Sequence, residues 1–173
     1  MARAVLKTSQ GDITLRFFPD KAPNHVRNFL ELARHGFYDG TLFHRVIPGF
    51  MIQGGDPITK DPKRVFRFGT GGNTDENGRE RNVKAEFNDV SHRRGIVSMA
   101  RGEEPDSASS QFFVVVGDAT FLDNQYTAFG EVVSGMDVAD RIVQASDVVD
   151  LERGRPRSYQ QLLSVQVVED PAA

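Results

Sequence analysis

A chain of 173 residues with a formal charge of −3, a pI near 5.8 and no cysteine has room for one domain, residues 1–173, with its own core. Disulfide frameworks, thiolate nucleophiles and cysteine zinc sites are excluded, and the acidic balance argues against a nucleic-acid binder, which needs a basic face. The opening MARAVLKTSQGD lacks the apolar core of a secretory signal. No stretch approaches the roughly 20 apolar residues that cross a bilayer, so a cytoplasmic protein without membrane contact is expected.

Ile13, Leu15 and Phe17 alternate with Thr14 and Arg16 after a turn at Ser9, Gln10, Gly11 and Asp12, which predicts an opening hairpin. From Pro23 the period changes to helical, with Val26, Phe29, Leu30 and Ala33 on one face and Gly36 as the stop. Strands are predicted at 42–47, 50–52, 95–100, 111–116, 128–133 and 162–168. A second helix follows Ser134, with Asp137 three residues on as a capping pair and Val138, Ala139 and Ile142 on its apolar face. The stretch 57–88, rich in charge and glycine, reads as a long surface loop with one short strand near 65–68. About eight strands, two helices and no βα alternation predict a mainly β fold, a closed eight-stranded antiparallel β-barrel capped by two α-helices.

Most familiar chemistries find no support in the sequence. His25, His35, His44 and His92 are not spaced as metal ligands on one helical face. Gly69 to Gly72 spell GTGG without the lysine of a phosphate loop, and Ser109 and Ser110 sit in no nucleophile elbow. No metal and no cofactor are expected. The string FHRVIPGFMIQGGD (43–56) differs in placing one arginine and one glutamine among large apolar residues across a Pro48–Gly49 turn. Strand alternation puts Arg45 and Ile47 on one face, and Met51 and Gln53 on one face of the next strand, with Phe50 beside the turn. On this pattern alone, Arg45 is either part of a built pocket or a surface arginine on a barrel exterior. Its neighbour His44 points the other way and is expected to be a hydrogen-bonded structural histidine.

FHRVIPGFMIQGGD, followed by SMAR (98–101), SQFFVVV (110–116) and FLDNQYTAFGEV (121–132), resembles the cyclophilins in order and spacing from about residue 3 to residue 168. The resemblance implies a peptidyl-prolyl cis/trans isomerase acting on proline-containing polypeptides that are unfolded or flexible, thereby assisting folding, and a monomer. It implies Arg45 as the catalytic side chain, a proline pocket of Phe50, Met51, Phe113 and Leu122, and peptide contacts from Gln53, Gln111 and the main chain of Ala100 and Arg101. Phe121 and Tyr126 complete the implied substrate-binding set, Tyr126 as either rim or wall. Phe112, the strand neighbour of Phe113, is expected to face the core.

The departures resemble bacterial cyclophilins. Phe121, Tyr126 and Arg101 stand where well-known eukaryotic members carry tryptophan, histidine and asparagine, and the run RGEEPDSASSQFF is one residue longer than theirs. Without an indole N–H at 121, one hydrogen-bond donor is lost, so weak rather than tight cyclosporin binding is implied. Residues 57–68 are extended relative to the family. Two other classes remain as alternatives, a proline-peptide binding module without turnover and a hollow ligand-carrying barrel, the latter disfavoured by the abundance of Phe and Val.

Overall fold

The computed structural model describes residues 2–169. In chain order the strands are β1 (Ala2–Thr8), β2 (Gly11–Phe17), β3 (Thr41–Leu42), β4 (Arg45–Ile47), β5 (Met51–Gly54), β6 (Ile96–Met99), β7 (Phe112–Val115), β8 (Ala128–Ser134), β9 (Val148–Asp150), β10 (Arg155–Pro156) and β11 (Gln161–Glu169). Helix α1 (Pro23–Arg34) lies between β2 and β3, and α2 (Met136–Ser146) between β8 and β9.

The opening hairpin forms as predicted, with Thr8 paired to Gly11 and the Thr8 hydroxyl donating to the Gly11 carbonyl at 2.7 Å. Pro23 supplies the first turn of α1, whose buried face is Val26, Phe29, Leu32 and Ala33; Leu30 packs only at its edge. Nine strands make one antiparallel sheet in the order β3-β11-β1-β2-β8-β6-β7-β5-β4, and β9 pairs with β10 in a separate ribbon. The mainly β architecture with two helices is the expected one, but its detail differs from a closed eight-stranded barrel. The edge strands β3 and β4 are consecutive in the chain, joined through Phe43 and His44, and no ladder between them occurs among the described residues. Helix α1 packs on β8 and β11, and α2 on β2, β4 and β5.

Two local expectations fail for physical reasons. Ser134 does not cap α2, because it is the last residue of β8 and pairs with Thr14. Gly135 takes the cap position at φ +100°, where an added Cβ would stand 2.4 Å from the Asp12 carbonyl oxygen, so only glycine fits the crossing over β2. The strand near 65–68 is instead part of a 3-10 turn, Pro62–Arg67, started by the Asp61 carboxylate accepting from the Lys63 N–H at 3.0 Å. Period-2 alternation without a partner strand has no ladder to join, and Phe66 is left 97% exposed.

Two apolar clusters form on opposite sides of the sheet. The larger fills the interior, with Phe29, Tyr38, Ile52, Phe112, Val114 and Phe129 among its fully buried members. The smaller lies outside, built from Met51, Ile96, Phe113, Val115, Ala119, Leu122 and Ala128. Alternation along β7 decides the split: Phe112 and Val114 point in, Phe113 and Val115 point out. Phe112 therefore faces the core as predicted.

Candidate active site

The outer cluster stops short of closing and leaves a cleft of about 260 Å³ lined by Arg45, Phe50, Met51, Gln53, Ala100, Arg101, Phe113, Phe121, Leu122 and Tyr126. Strand register explains why residues so far apart in sequence meet there. Arg45 stands opposite Gln53, Ile47 opposite Met51, Gln53 opposite Phe113, and Phe113 opposite Ser98. One cross-sheet row on the outer face thus runs Arg45, Gln53, Phe113, Ser98, which answers the question left open by the sequence: Arg45 is both on the barrel exterior and part of a pocket.

Arg45 is held from two sides. Its Nε donates to the Arg153 carbonyl at 3.3 Å and its Nη1 to Gln53 Oε1 at 3.4 Å, both long, while Nη2 has no protein acceptor among the described residues. Gln53 Nε2 donates to Gln111 Oε1 at 3.0 Å, and Gln111 Nε2 donates to the carbonyls of Gly69 and Gly71, each at 2.9 Å. The relay ends on a loop fixed by Asp56, a fully buried carboxylate that accepts from the N–H groups of Ile58 (2.8 Å), Gly69 (2.6 Å) and Gly71 (3.2 Å). Gln111 lies beside the cleft, touching it through Gln53. It lines a neighbouring hollow of about 240 Å³ together with Ala100 and Arg101.

Met51, Phe113 and Leu122 form the floor, each less than a tenth exposed. Phe50 and Phe121 lean together at 5.4 Å between ring centroids, with Phe121 itself 65% exposed. Tyr126 meets Phe113 edge to face at 5.8 Å, and the Arg101 guanidinium lies over the Tyr126 ring at 4.8 Å. Arg101 also donates to the carbonyls of Gln125, Gly102 and Glu103 and so ties the two rim loops together. The Ala100 N–H is already given to the Gln111 carbonyl at 3.0 Å, which leaves the Ala100 carbonyl as its main-chain group for a ligand.

Several contributors could not be read from local sequence. His92 stacks on the far face of Phe113 at 6.2 Å, with Nε2 2.8 Å from Ser98 Oγ and Nδ1 3.1 Å from Asp123 Oδ1. Burial lowers its pKa below the ordinary histidine value, and Asp123 opposes that shift only in part. Asp123 accepts from the Ser91 hydroxyl and the His92 N–H, so the loop carrying Phe121 and Leu122 is anchored through a carboxylate. His44 departs from expectation. It is buried, but neither ring nitrogen completes a hydrogen bond, although the Leu42 backbone, Gln111 and Asp56 lie near enough to offset in part the downward shift that burial imposes on its pKa. The position is a packing one, and burial disfavours the charged form of the ring.

An arginine donor at the lip of a small cleft with an apolar floor suits a ligand segment that is mostly apolar and presents one acceptor. Among the described residues no group of three or more His, Asp or Glu side chains could hold a metal ion, and no helix is long and apolar enough to cross a membrane.

Comparison with known proteins identifies the family. Residues 3–167 match the family model described as cyclophilin type peptidyl-prolyl cis-trans isomerase/CLD. A probable peptidyl-prolyl cis-trans isomerase of Brucella abortus is 41% identical over 96% of this chain and 82% of its own length, and peptidyl-prolyl cis-trans isomerase A of Dickeya dadantii is 45% identical over 81% and 70%. A Cryptosporidium parvum cyclophilin type isomerase, crystallised in the presence of the dipeptide Ala-Pro, superposes with a TM-score of 0.81 at 28% identity, covering 97% of this chain and 99% of that one. The chain belongs to the cyclophilin-type peptidyl-prolyl cis-trans isomerase family. It is an enzyme of that activity, as its resemblance to the family implied.

Proposed function

We propose that the cleft beside Arg45 binds the proline ring of an X-Pro segment in an unfolded or flexible polypeptide, and that Arg45 accelerates rotation by donating to the proline nitrogen. The barrier to be lowered is about 18–20 kcal/mol and comes from partial double-bond character of the C–N bond. As the amide twists, that conjugation is lost, the nitrogen becomes pyramidal and its lone pair becomes available as an acceptor. A guanidinium placed beside it binds the twisted state better than the planar one, and only such differential binding speeds the step. No bond is made or broken and no proton is transferred. Arginine suits the task because its planar fork can be oriented by fixed acceptors.

The observation that carries this reading is that Arg45 is oriented by Gln53 and the Arg153 carbonyl at the edge of a floor made of Met51, Phe113 and Leu122. Phe50, Phe121 and Tyr126 would enclose the ring, and the planar amide, which has more charge separation than the twisted one, would be the form disfavoured in dry surroundings. Gln111, Ala100 and Arg101 would hold the flanking backbone, and assistance to folding follows from releasing slow X-Pro steps. Arg45→Ala should lower kcat/KM on a short X-Pro peptide by about 10²- to 10³-fold, by analogy with removal of other preorganised donors. Unchanged turnover in an exchange measurement by NMR would remove Arg45 from the mechanism.

A further inference from the structure

On the side of Arg45 away from Phe113 lies a second and larger cleft, of about 450 Å³, which shares Arg45 and Gln53 with the first. Its walls are Arg153 and Arg155 from the β9–β10 ribbon, Val65 and Phe66 from the extended 57–68 stretch, and the Phe68–Tyr159 pair, whose rings meet edge to face at 5.5 Å. No carboxylate lines it. Arg16, Arg34, Arg94, Arg141 and Arg157 elsewhere on the surface each meet an acidic partner. Among the described residues the Arg153 and Arg155 guanidinium groups have none. The 57–68 stretch contributes Val65, Phe66 and Phe68 to the walls, while its Lys60, Lys63, Arg64 and Arg67 lie outside them. Three arginines, Arg45, Arg153 and Arg155, thus line this cleft with no carboxylate among its walls, beside Val65, Phe68, Tyr159 and the almost fully exposed Phe66.

We propose that this cleft is a specificity subsite for an anionic side chain, a glutamate or aspartate of the substrate polypeptide a few residues from the proline. The inference rests on the reading of the neighbouring cleft as the proline site, because it is continuity through Arg45 and Gln53 that delivers the flanking residues here. Guanidinium groups recognise carboxylate and phosphate oxygens alike, so a phosphorylated side chain has the same chemistry. The aromatic floor accepts the aliphatic stem of the anionic residue, and Phe66 gives that stem a surface that is otherwise costly to leave in water.

The test uses short peptides with one X-Pro bond, carrying Glu, Gln, Lys or phosphoserine at successive positions on each side of the proline, with the ratio to the Gln peptide as the readout. At one of these positions the Glu peptide should exceed the Gln peptide in kcat/KM by about threefold to fivefold, as for a partly exposed ion pair, with Lys below Gln and the ratio shrinking as salt is raised. Arg155→Gln should reduce the ratio, and Arg155→Glu should turn it in favour of Lys. Equal rates for Glu, Gln, Lys and phosphoserine peptides in the wild type, or an anion preference untouched by Arg155→Glu, would overturn the subsite. A preference seen only with phosphoserine retains the subsite and assigns it phosphorylated chains. Should no peptide be turned over at all, the proposed mechanism fails, but shift titrations with the same peptides still read the Glu-to-Gln preference and decide the subsite separately.

Discussion

The two faces of β5 and β7 carry similar side chains to opposite ends. Inward, Ile52, Phe112 and Val114 are fully buried among the rings of Phe29, Tyr38 and Phe129. Outward, Met51, Phe113 and Val115 are almost as buried, yet the cluster they form is too small to close and Arg45 and Gln53 complete its border. Apolar content does not separate core from site on these strands. What separates them is what lies above each face: helices and the rest of the sheet on one side, and two loops tied by Arg101, Asp123 and Asp56 on the other.

The pair Phe112 and Phe113 puts that difference to its strongest test. Phe112→Ala should cost about 3–5 kcal/mol of folding stability, since the interior cannot collapse around the cavity, and chemical denaturation would measure it. Phe113→Ala removes the same atoms from a buried side chain that borders the cleft, where water can fill the space left, and should cost about 1.5–3 kcal/mol, while kcat/KM falls by about 10- to 200-fold through loss of proline contact. Comparable stability losses with comparable activity losses would mean the outer cluster is only more core.

Gly154 allows a finer test of the border. It sits at φ +75° with its carbonyl accepting from the Val46 N–H at 2.8 Å, and an added Cβ would lie 3.0 Å from Arg45 Cγ and 2.9 Å from Ile47 Cγ1. Gly154→Ala should therefore push the Arg45 stem and the Arg153 carbonyl apart and lower kcat/KM by about 10- to 100-fold, the range expected for a misplacement on the order of 1 Å. The Michaelis constant should change little, because the floor of Met51, Phe113 and Leu122 is untouched. A loss confined to the Michaelis constant would instead implicate the cleft's shape.

How much of this was legible in the sequence depended on the range of each interaction. Alternation set Arg45 with Ile47 on one strand and Met51 with Gln53 on the next, and turned Phe112 away from Phe113, which the family resemblance put in the pocket, because side-chain direction in a strand is a local property. The contacts that orient Arg45 are not local. Its Nε acceptor is 108 residues away, in a loop beside a ribbon that no alternation signalled. Asp56 was visible as the end of a recognisable string, but its three N–H donors lie up to 15 residues on, and the pairing of His92 with Asp123 spans 31. Ser134 misled for a related reason: a good capping residue was already committed to β8, and the crossing over β2 demanded a residue without Cβ.

The smallest effect tests whether the outer face is coupled to pH. Burial holds the His92 pKa below its ordinary value of 6.5, so between the native pKa and 6.5 the unfolded chain binds a proton that the folded chain does not. Stability from this group is therefore complete above about pH 6.5 and is lost as the pH falls through that window, with a slope of at most about 1.4 kcal/mol per pH unit. His25 and His44 are lowered by burial as well and add the same sign. His92→Gln keeps a group able to meet Ser98 and Asp123 but removes the titration, so it should flatten the fall of Tm below pH 6.5 by one proton's share. Turnover at saturating peptide should stay level from pH 7 upward in both proteins, because amide rotation moves no proton. A His92→Gln variant with an unchanged Tm profile would assign the pH response to His25 and His44, away from the floor of the cleft.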